Sequence, residues 1–355
     1  MGKTGRERVK VTLKDIAQRT GYSVNTVSRA LRDKDDIAED TRAKIKALAA
    51  EMGHINNTLA SSLRLGYTNT LAVILGDVSN PHFAVMMKEI EGQARELGYS
   101  SILLNTNEDE EQELEAIRSA LNKNVDGIIL CPAQKSDRNI RYLQSLGVPF
   151  VLIGRHYEEP DTDYVICNDE LGGYQATRYL LELGHRRILM LHGPNYISSA
   201  RERLAGYRRA LREAGIPEDP GLVREVSVTG WECRDLFGCI GNPDVQFTAI
   251  FAFSDLLAWE AWRCLRQKGV RIPEDCSIIG FDHIQSRLSL PFALTSVSSY
   301  KGQMSTTAVE LLVRRIRQAC GEEPQHIIID TKIAEGETTA PSRWSLSEFG
   351  NPYLR

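Results

Sequence analysis

The chain has 355 residues, 42% hydrophobic and 25% charged, with a formal net charge of −4. That length suits two or three domains, the composition is that of an ordinary globular protein, and no apolar run is long enough to cross a bilayer. The polar, basic stretch Met1 to Lys10 has no apolar segment behind it, so it is not read as a secretory signal and a cytoplasmic location is expected. Charge is unevenly spread: residues 1–66 carry 13 Lys and Arg against 8 Asp and Glu, and the remainder 30 against 39. A basic head on an acidic body points to a polyanion as the partner of the head. The seven cysteines stand singly, with no C-x-x-C pair, and read as reduced thiols among apolar neighbours rather than as a zinc or redox motif.

In chain order, Thr12 with Asp15 forms a capping-box-like start, and Leu13, Ile16 and Ala17 give one apolar helical face. Gly21-Tyr22 breaks this helix. Ser23 caps a second helix that turns Val27 and Leu31 inward, and a third begins near Thr41, lines up Ile45, Leu48, Ala49 and Met52, and ends at Gly53. This is the pattern of a helix-turn-helix whose second helix enters a major groove. A plain three-helix bundle with a polar face is the alternative. On the outward face, Arg29 can fork to guanine, Asn25 can pair with an adenine edge, and Val24 can rest on a thymine methyl. Thr26, Ser28 and the helix N-terminus suit phosphate oxygens, and Thr12 is counted among the DNA-binding residues.

From Leu71 the texture changes. Apolar runs at 71–75, 102–104, 127–130, 150–153, 188–191, 249–252 and 277–281 alternate with helical patterns at 83–97, 110–122, 171–183 and 255–267. Doubly buried strands alternating with helices mean parallel sheets covered on both faces, here in two Rossmann-like lobes. No G-x-G-x-x-G or G-x-S-x-G follows a strand, and the histidines lack metal-ligand spacing. No catalytic residue, cofactor or metal is expected, and the chain is not read as an enzyme.

The segment from Val11 to Leu31 resembles the opening of the LacI (lactose-repressor) family, and the resemblance runs through nearly the whole chain. It implies a transcription regulator, most often a repressor: a helix-turn-helix head on an α/β two-lobed core like that of periplasmic binding proteins, with parallel doubly wound sheets. The implied partners are near-palindromic double-stranded operator DNA, a small-molecule effector and a second copy in a homodimer, with no membrane. A nucleoid-associated location follows.

The implied division is a head at 1–53, a hinge helix or linker at 54–67, and a core at 68–346 with a tail at 347–355. Lobe 1 takes about 68–168 and 298–330, and lobe 2 about 169–297 and 331–346. Asn57, Ala60 and Leu63 match the hinge element, with Leu63 as the minor-groove wedge. His54-Ile55-Asn56-Asn57 departs from the family's Tyr-x-Pro-Asn. The core positions that match the effector site are Asp77, His82, Phe83, Arg155, Ser199, Arg203, Trp231, Ser254 and Asp282. His82 and Phe83 would flank a ligand ring, Trp231 would stack on it, and Arg203 and Asp282 would bind its oxygens. Arg203 could instead pair with Glu202 or Asp255. Many members have an aspartate after the fourth core strand where this chain has Gly154-Arg155, and an arginine at the cleft rim would favour an acidic or phosphorylated ligand over a neutral sugar. Residues 345–355 show no heptad pattern, so a tetramer-forming coiled coil is not expected.

Overall fold

The computed structural model describes residues 11–54, 67–227, 246–286, 292–318 and 323–343. The chain divides into two units, Met1–Thr68 and Asn69–Arg355.

The first unit contains α1 (Leu13–Thr20), α2 (Val24–Ala30) and α3 (Glu39–Glu51). Thr12 and Asp15 make a complete capping box: the Thr12 backbone N–H donates to the Asp15 carboxylate at 2.7 Å, and the Thr12 hydroxyl accepts from Asp15 N–H. Donors at the start of the helix are thereby satisfied. Gly21, at φ 75°, ends α1 in the left-handed region that glycine enters without Cβ strain. Ser23 caps α2 by accepting from Thr26 N–H at 3.0 Å. Ile16, Ala17, Val27, Ala30, Ile45 and Ala49 form the core, and each buried Ile or Val contributes roughly 1.5–3 kcal/mol. The third helix starts at Glu39 rather than near Thr41, because Glu39 and Asp40 fit the positive end of the helix dipole. His54 Nδ1 lies 2.8 Å from the Val11 carbonyl, tying the end of α3 back to the start of the head.

The second unit holds two six-stranded sheets. The first contains β1 (Thr70–Leu75), β2 (Ser100–Asn105), β3 (Gly127–Leu130), β4 (Phe150–Ile153), β5 (Tyr164–Cys167) and β11 (His326–Ile329). Its order is β11-β5-β4-β3-β1-β2, all parallel. The second contains β6 (Ile188–His192), β7 (Val223–Glu225), β8 (Ala249–Ala252), β9 (Ser277–Asp282), β10 (Thr295–Ser298) and β12 (Lys332–Ala334). Its order is β12-β10-β9-β8-β6-β7, parallel except for β12, which runs antiparallel to β10 at the edge.

The helices are α4 (Pro81–Glu96), α5 (Glu110–Asn122), α6 (Arg138–Leu146), α7 (Asp169–Glu182), α8 (Ser198–Glu213), α9 (Asp255–Gln267) and α10 (Lys301–Arg317). Two start earlier than expected from apolar spacing. α4 opens on Pro81, whose fixed φ and missing N–H suit a first helical position, and α7 opens on Asp169, capped by Asn168. The chain passes between the sheets at Asn168, at Ser299-Tyr300 and at Asp330-Thr331, and Asn168 Nδ2 donates to Asp330 Oδ1 at 3.0 Å.

α7 and α8 touch backbone to backbone. A Cβ on Gly206 would lie 2.1 Å from the Glu170 carbonyl oxygen, and one on Gly173 2.2 Å from that of Arg203. Backbone cannot yield as a side chain can, so Gly206→Ala is expected to cost about 3 kcal/mol, read as a lower urea midpoint with unchanged slope.

Cys131, Cys167 and Cys276 are buried free thiols, as expected. Cys264 is disulfide-bonded, which its isolated place in the sequence did not suggest. No helix among the described residues is long and apolar enough to cross a membrane.

Candidate functional site

In the head, α2 buries Val27 and Ala30 and leaves Val24, Asn25 and Arg29 exposed, with Thr26 and Ser28 half-buried. The face read from helical spacing is therefore the face presented to solvent. Two of its members, and Thr12 at the start of α1, also have local tasks. The Thr12 hydroxyl donates to the Asp15 carboxylate, Thr26 Oγ1 lies 2.8 Å from Ser23 Oγ, and the Arg29 guanidinium is paired with Asp36. Tyr22, also exposed, adjoins this face and was not singled out from sequence. Asn57, Ala60, Leu63 and Trp231 lie outside the described residues.

In the second unit a cleft opens at the carboxyl ends of strands from both sheets. In each sheet the strand order reverses beside a central strand, at β1/β3 and at β6/β8, and ligands of α/β folds bind at such points. Asp77, His82, Phe83, Arg155, Ser199, Arg203, Ser254 and Asp282 all line one cavity, so every described member of the expected set is brought together. Cavity and solvent mouth together hold about 670 Å³ not filled by protein atoms. Asn80, Met86, Glu108, Cys131, Gly154, Phe253 and Leu256 complete the described wall.

Arg155 is buried and its charge is already matched. Its two terminal nitrogens grip the Glu108 carboxylate at 2.6 and 2.9 Å, and one also donates to the Pro132 carbonyl at 2.7 Å. Burial works against its charge, but Glu108, Cys131 and Glu113 together outweigh that and hold it protonated. Arg155 is therefore not the unmatched cation on which the expectation of an anionic ligand rested. Gly76 makes the pair possible, since a Cβ there would lie 2.2 Å from Glu108 Oε1.

Arg203 pairs with neither Glu202 nor Asp255. Its Nε donates to Asp169 Oδ1 at 2.7 Å and Nη1 to the Phe253 carbonyl at 2.5 Å. The guanidinium lies between aromatic faces, 3.5 Å from the Phe281 ring centre and 4.6 Å from that of Phe253. Its remaining nitrogen is 4.0 Å from Asp282 Oδ1. Burial pushes the Asp169 carboxyl up to about 6 against the pull of Arg203.

Asp282 sits at φ 104°, a conformation L residues rarely adopt. Its carbonyl accepts from the buried Lys301 ammonium. Beneath the same turn, Asp255 accepts from Ser296 Oγ at 2.5 Å and Ile284 N–H at 2.8 Å, and burial together with Asp282 raises it to about 8. Strain at a turn held from both sides is common where a binding group must be aimed.

His82 Nδ1 lies 3.3 Å from Asp282 Oδ1, off the hydrogen-bond line, and this buried nitrogen has no hydrogen-bond partner. Burial lowers His82 to about 4, so the ring is neutral near pH 7. A ligand hydroxyl between these two groups would satisfy both. Asp77 accepts from Ser79 N–H at 2.9 Å, shaping the turn after β1, and Ser254 Oγ caps α9 through Leu257 N–H at 3.3 Å. Both still face the cavity. Among the described residues no cluster of His, Cys, Asp and Glu could hold a metal ion.

A helix-turn-helix head followed by a two-lobed core with a polar cleft defines a class, the DNA-binding regulator that answers to a small ligand. Residues 68–336 match the family of periplasmic binding proteins and sugar binding domain of the LacI family, and residues 12–57 match the bacterial regulatory proteins of the lacI family. The chain is 30% identical over 337 residues to the HTH-type transcriptional regulator DegA of Bacillus subtilis, covering 94% of this chain and 99% of that protein. It is 32% identical to the transcriptional repressor PurR of Vibrio atlanticus, covering 86% and 92%. The solved complex of the transcriptional regulator CelR with cellobiose covers 93% of this chain and all of its own, at 30% identity and a TM-score of 0.67. The chain belongs to the LacI family and is a transcriptional regulator.

Proposed function

We propose that this chain is a homodimeric, operator-binding repressor released or recruited by a neutral polyhydroxylated molecule, a sugar, bound between the core lobes. The observation that carries the ligand class is the saturation of Arg155 by Glu108 inside the cleft. With Asp77, Asp282 and the neutral His82 nearby, the wall offers acceptors for hydroxyl groups and, among the described residues, no unmatched cation for a phosphate. Related proteins include the ribose operon repressor of Escherichia coli, 30% identical. A similar solved structure from Enterococcus faecium carries bound ribose.

The protein works by binding, not catalysis, from the cytoplasm on the nucleoid. The head is 1–53 and the hinge 54–67, with Asn57, Ala60 and Leu63 at the minor groove. Lobe 1 takes about 68–168 and 298–330, and lobe 2 about 169–297 and 331–346, with Trp231 at the ligand ring. An electrophoretic mobility shift with and without neutral sugars tests the regulatory part.

Calorimetry tests the ligand part. A neutral sugar is expected to bind at least about tenfold tighter than its phosphate ester, and Glu108→Gln, by freeing Arg155, should reverse that order through a charge-assisted contact of about 1.5–3 kcal/mol. A phosphate ester that binds the unaltered protein better than its parent sugar would overturn the reading.

A further inference from the structure

We propose that Gln134 and His156, on the loops after β3 and β4, form a clasp on α8 of the opposite lobe and thereby set how firmly the cleft stays closed. This rests on the cleft being the effector site, and it assigns the task of closing it to residues outside the ligand wall.

α8 starts without a cap of its own: its N-cap residue is Ile197, whose side chain accepts nothing. An uncapped helix start leaves backbone donors to be satisfied from elsewhere. Here the acceptor comes from across the cleft, as Ser198 N–H donates to Gln134 Oε1 at 2.9 Å. Gln134 Nε2 donates to the His156 carbonyl at 2.6 Å, and His156 N–H donates to Ser198 Oγ at 3.1 Å. The ring is closed, with Gln134 and Ser198 both buried.

Gln134 holds φ 64°, an uncommon conformation for a residue with a Cβ. Its loop is fixed from behind by Glu113, which accepts from Ala133 N–H at 2.7 Å. One turn further along α8, Glu202 Oε1 lies 2.5 Å from His156 Nε2. α8 also carries Ser199 and Arg203, so a clasp on its first turn holds the ligand wall in place.

The charged and titratable groups around His156 are Glu202 on α8, Asp169 at the start of α7, and Tyr164 on β5, whose ring is 4.9 Å away. Behind Tyr164 stacks His326, which is paired with Asp161. The bond to Glu202 raises His156, with partial burial opposing. A histidine raised in the folded state contributes fully below its unfolded value, and that contribution disappears as pH rises through the raised value. Gln134 and His156 are positioning residues, and the ionic part of the clasp belongs to the acid side of neutrality.

Hydrogen exchange of the full chain, with no sugar added, reads the first turn of α8 directly. Gln134→Ala is expected to raise exchange at 198–203 about fivefold, the effect of a lost helix cap. Glu202→Gln should raise it about threefold near pH 6 and leave it unchanged near pH 8.5, and His156→Asn should show the same pH pattern. Comparison with the unaltered chain cancels pH effects that do not pass through the clasp, and Glu202→Gln, at a partly exposed side chain, carries the test if Gln134→Ala does not fold. Unchanged protection in a folded Gln134→Ala, or a Glu202→Gln effect of equal size at both pH values, overturns the clasp. Because no ligand is present, that result leaves the effector reading standing, while failed sugar binding with these exchange patterns intact would sink only the effector reading.

Discussion

Arg203→Ala is expected to destabilise the core by about 3–5 kcal/mol and to abolish the effector response together with it. The loss follows from what the arginine leaves behind. Asp169 is only 1% exposed and depends on Arg203 for its charge, and removing one partner of a buried pair strands the other. Burial already raises Asp169 to about 6 with the arginine in place. Without it the carboxyl rises further, so the deficit should shrink as pH falls and Asp169 takes up a proton. Urea denaturation near pH 7 and near pH 5 would show this, with the two midpoints converging on those of the unaltered protein at the lower pH. Arg203→Lys should fall between, because an ammonium cannot fork to Asp169 and the Phe253 carbonyl while lying flat between Phe253 and Phe281. An alanine variant as stable as the parent at pH 7 would mean that the pair contributes nothing.

Arg29→Ala and Asp36→Asn are expected to move operator affinity in opposite directions. Arg29 is exposed on α2 and is held by Asp36 in the loop that follows. If it forks to a guanine, its loss costs about 1–3 kcal/mol and relaxes specificity at one base pair. Asp36→Asn releases the guanidinium and removes a negative charge from the approach to phosphate, so affinity should rise a few-fold, most at low salt. Fluorescence anisotropy on a specific and a scrambled duplex separates the two effects. Should Arg29→Ala weaken both duplexes equally, Arg29 contacts backbone and the base-reading role falls to Asn25 and Val24.

Much of this architecture is visible in the chain because doubly buried strands are continuous apolar runs. All seven runs, from Leu71–Leu75 to 277–281, fall on strands of the two sheets. Five described strands lie outside those runs: β5 is only four residues long although fully buried, and β10 is the largely polar Thr295–Ser298. β12 and β7 are three residues long, and β11 alternates exposed and buried positions at a sheet edge. The outward face of α2 was legible because helical spacing alone decides which side is turned to solvent. In the cleft, the wall residues could be placed by one rule, that they follow strand ends, but their pairing could not. Arg155 and Glu108 are 47 positions apart, and Asn107-Glu108-Asp109 reads locally as a polar turn. Applied to the end of β2, the same rule would have brought Glu108 forward. The expectation of an anionic ligand counted the arginine without its partner.

The three passages of the chain between the sheets, at Asn168, Ser299-Tyr300 and Asp330-Thr331, have a bearing on modularity. The head is one uninterrupted stretch and could be exchanged with that of a relative by a single splice. Neither half of the core is contiguous, so no single cut frees it, and a recombination event that grafted in half of a foreign core would break both sheets at once. New regulatory circuits built from this chain would come from swapping the address it reads while inheriting the sensor whole.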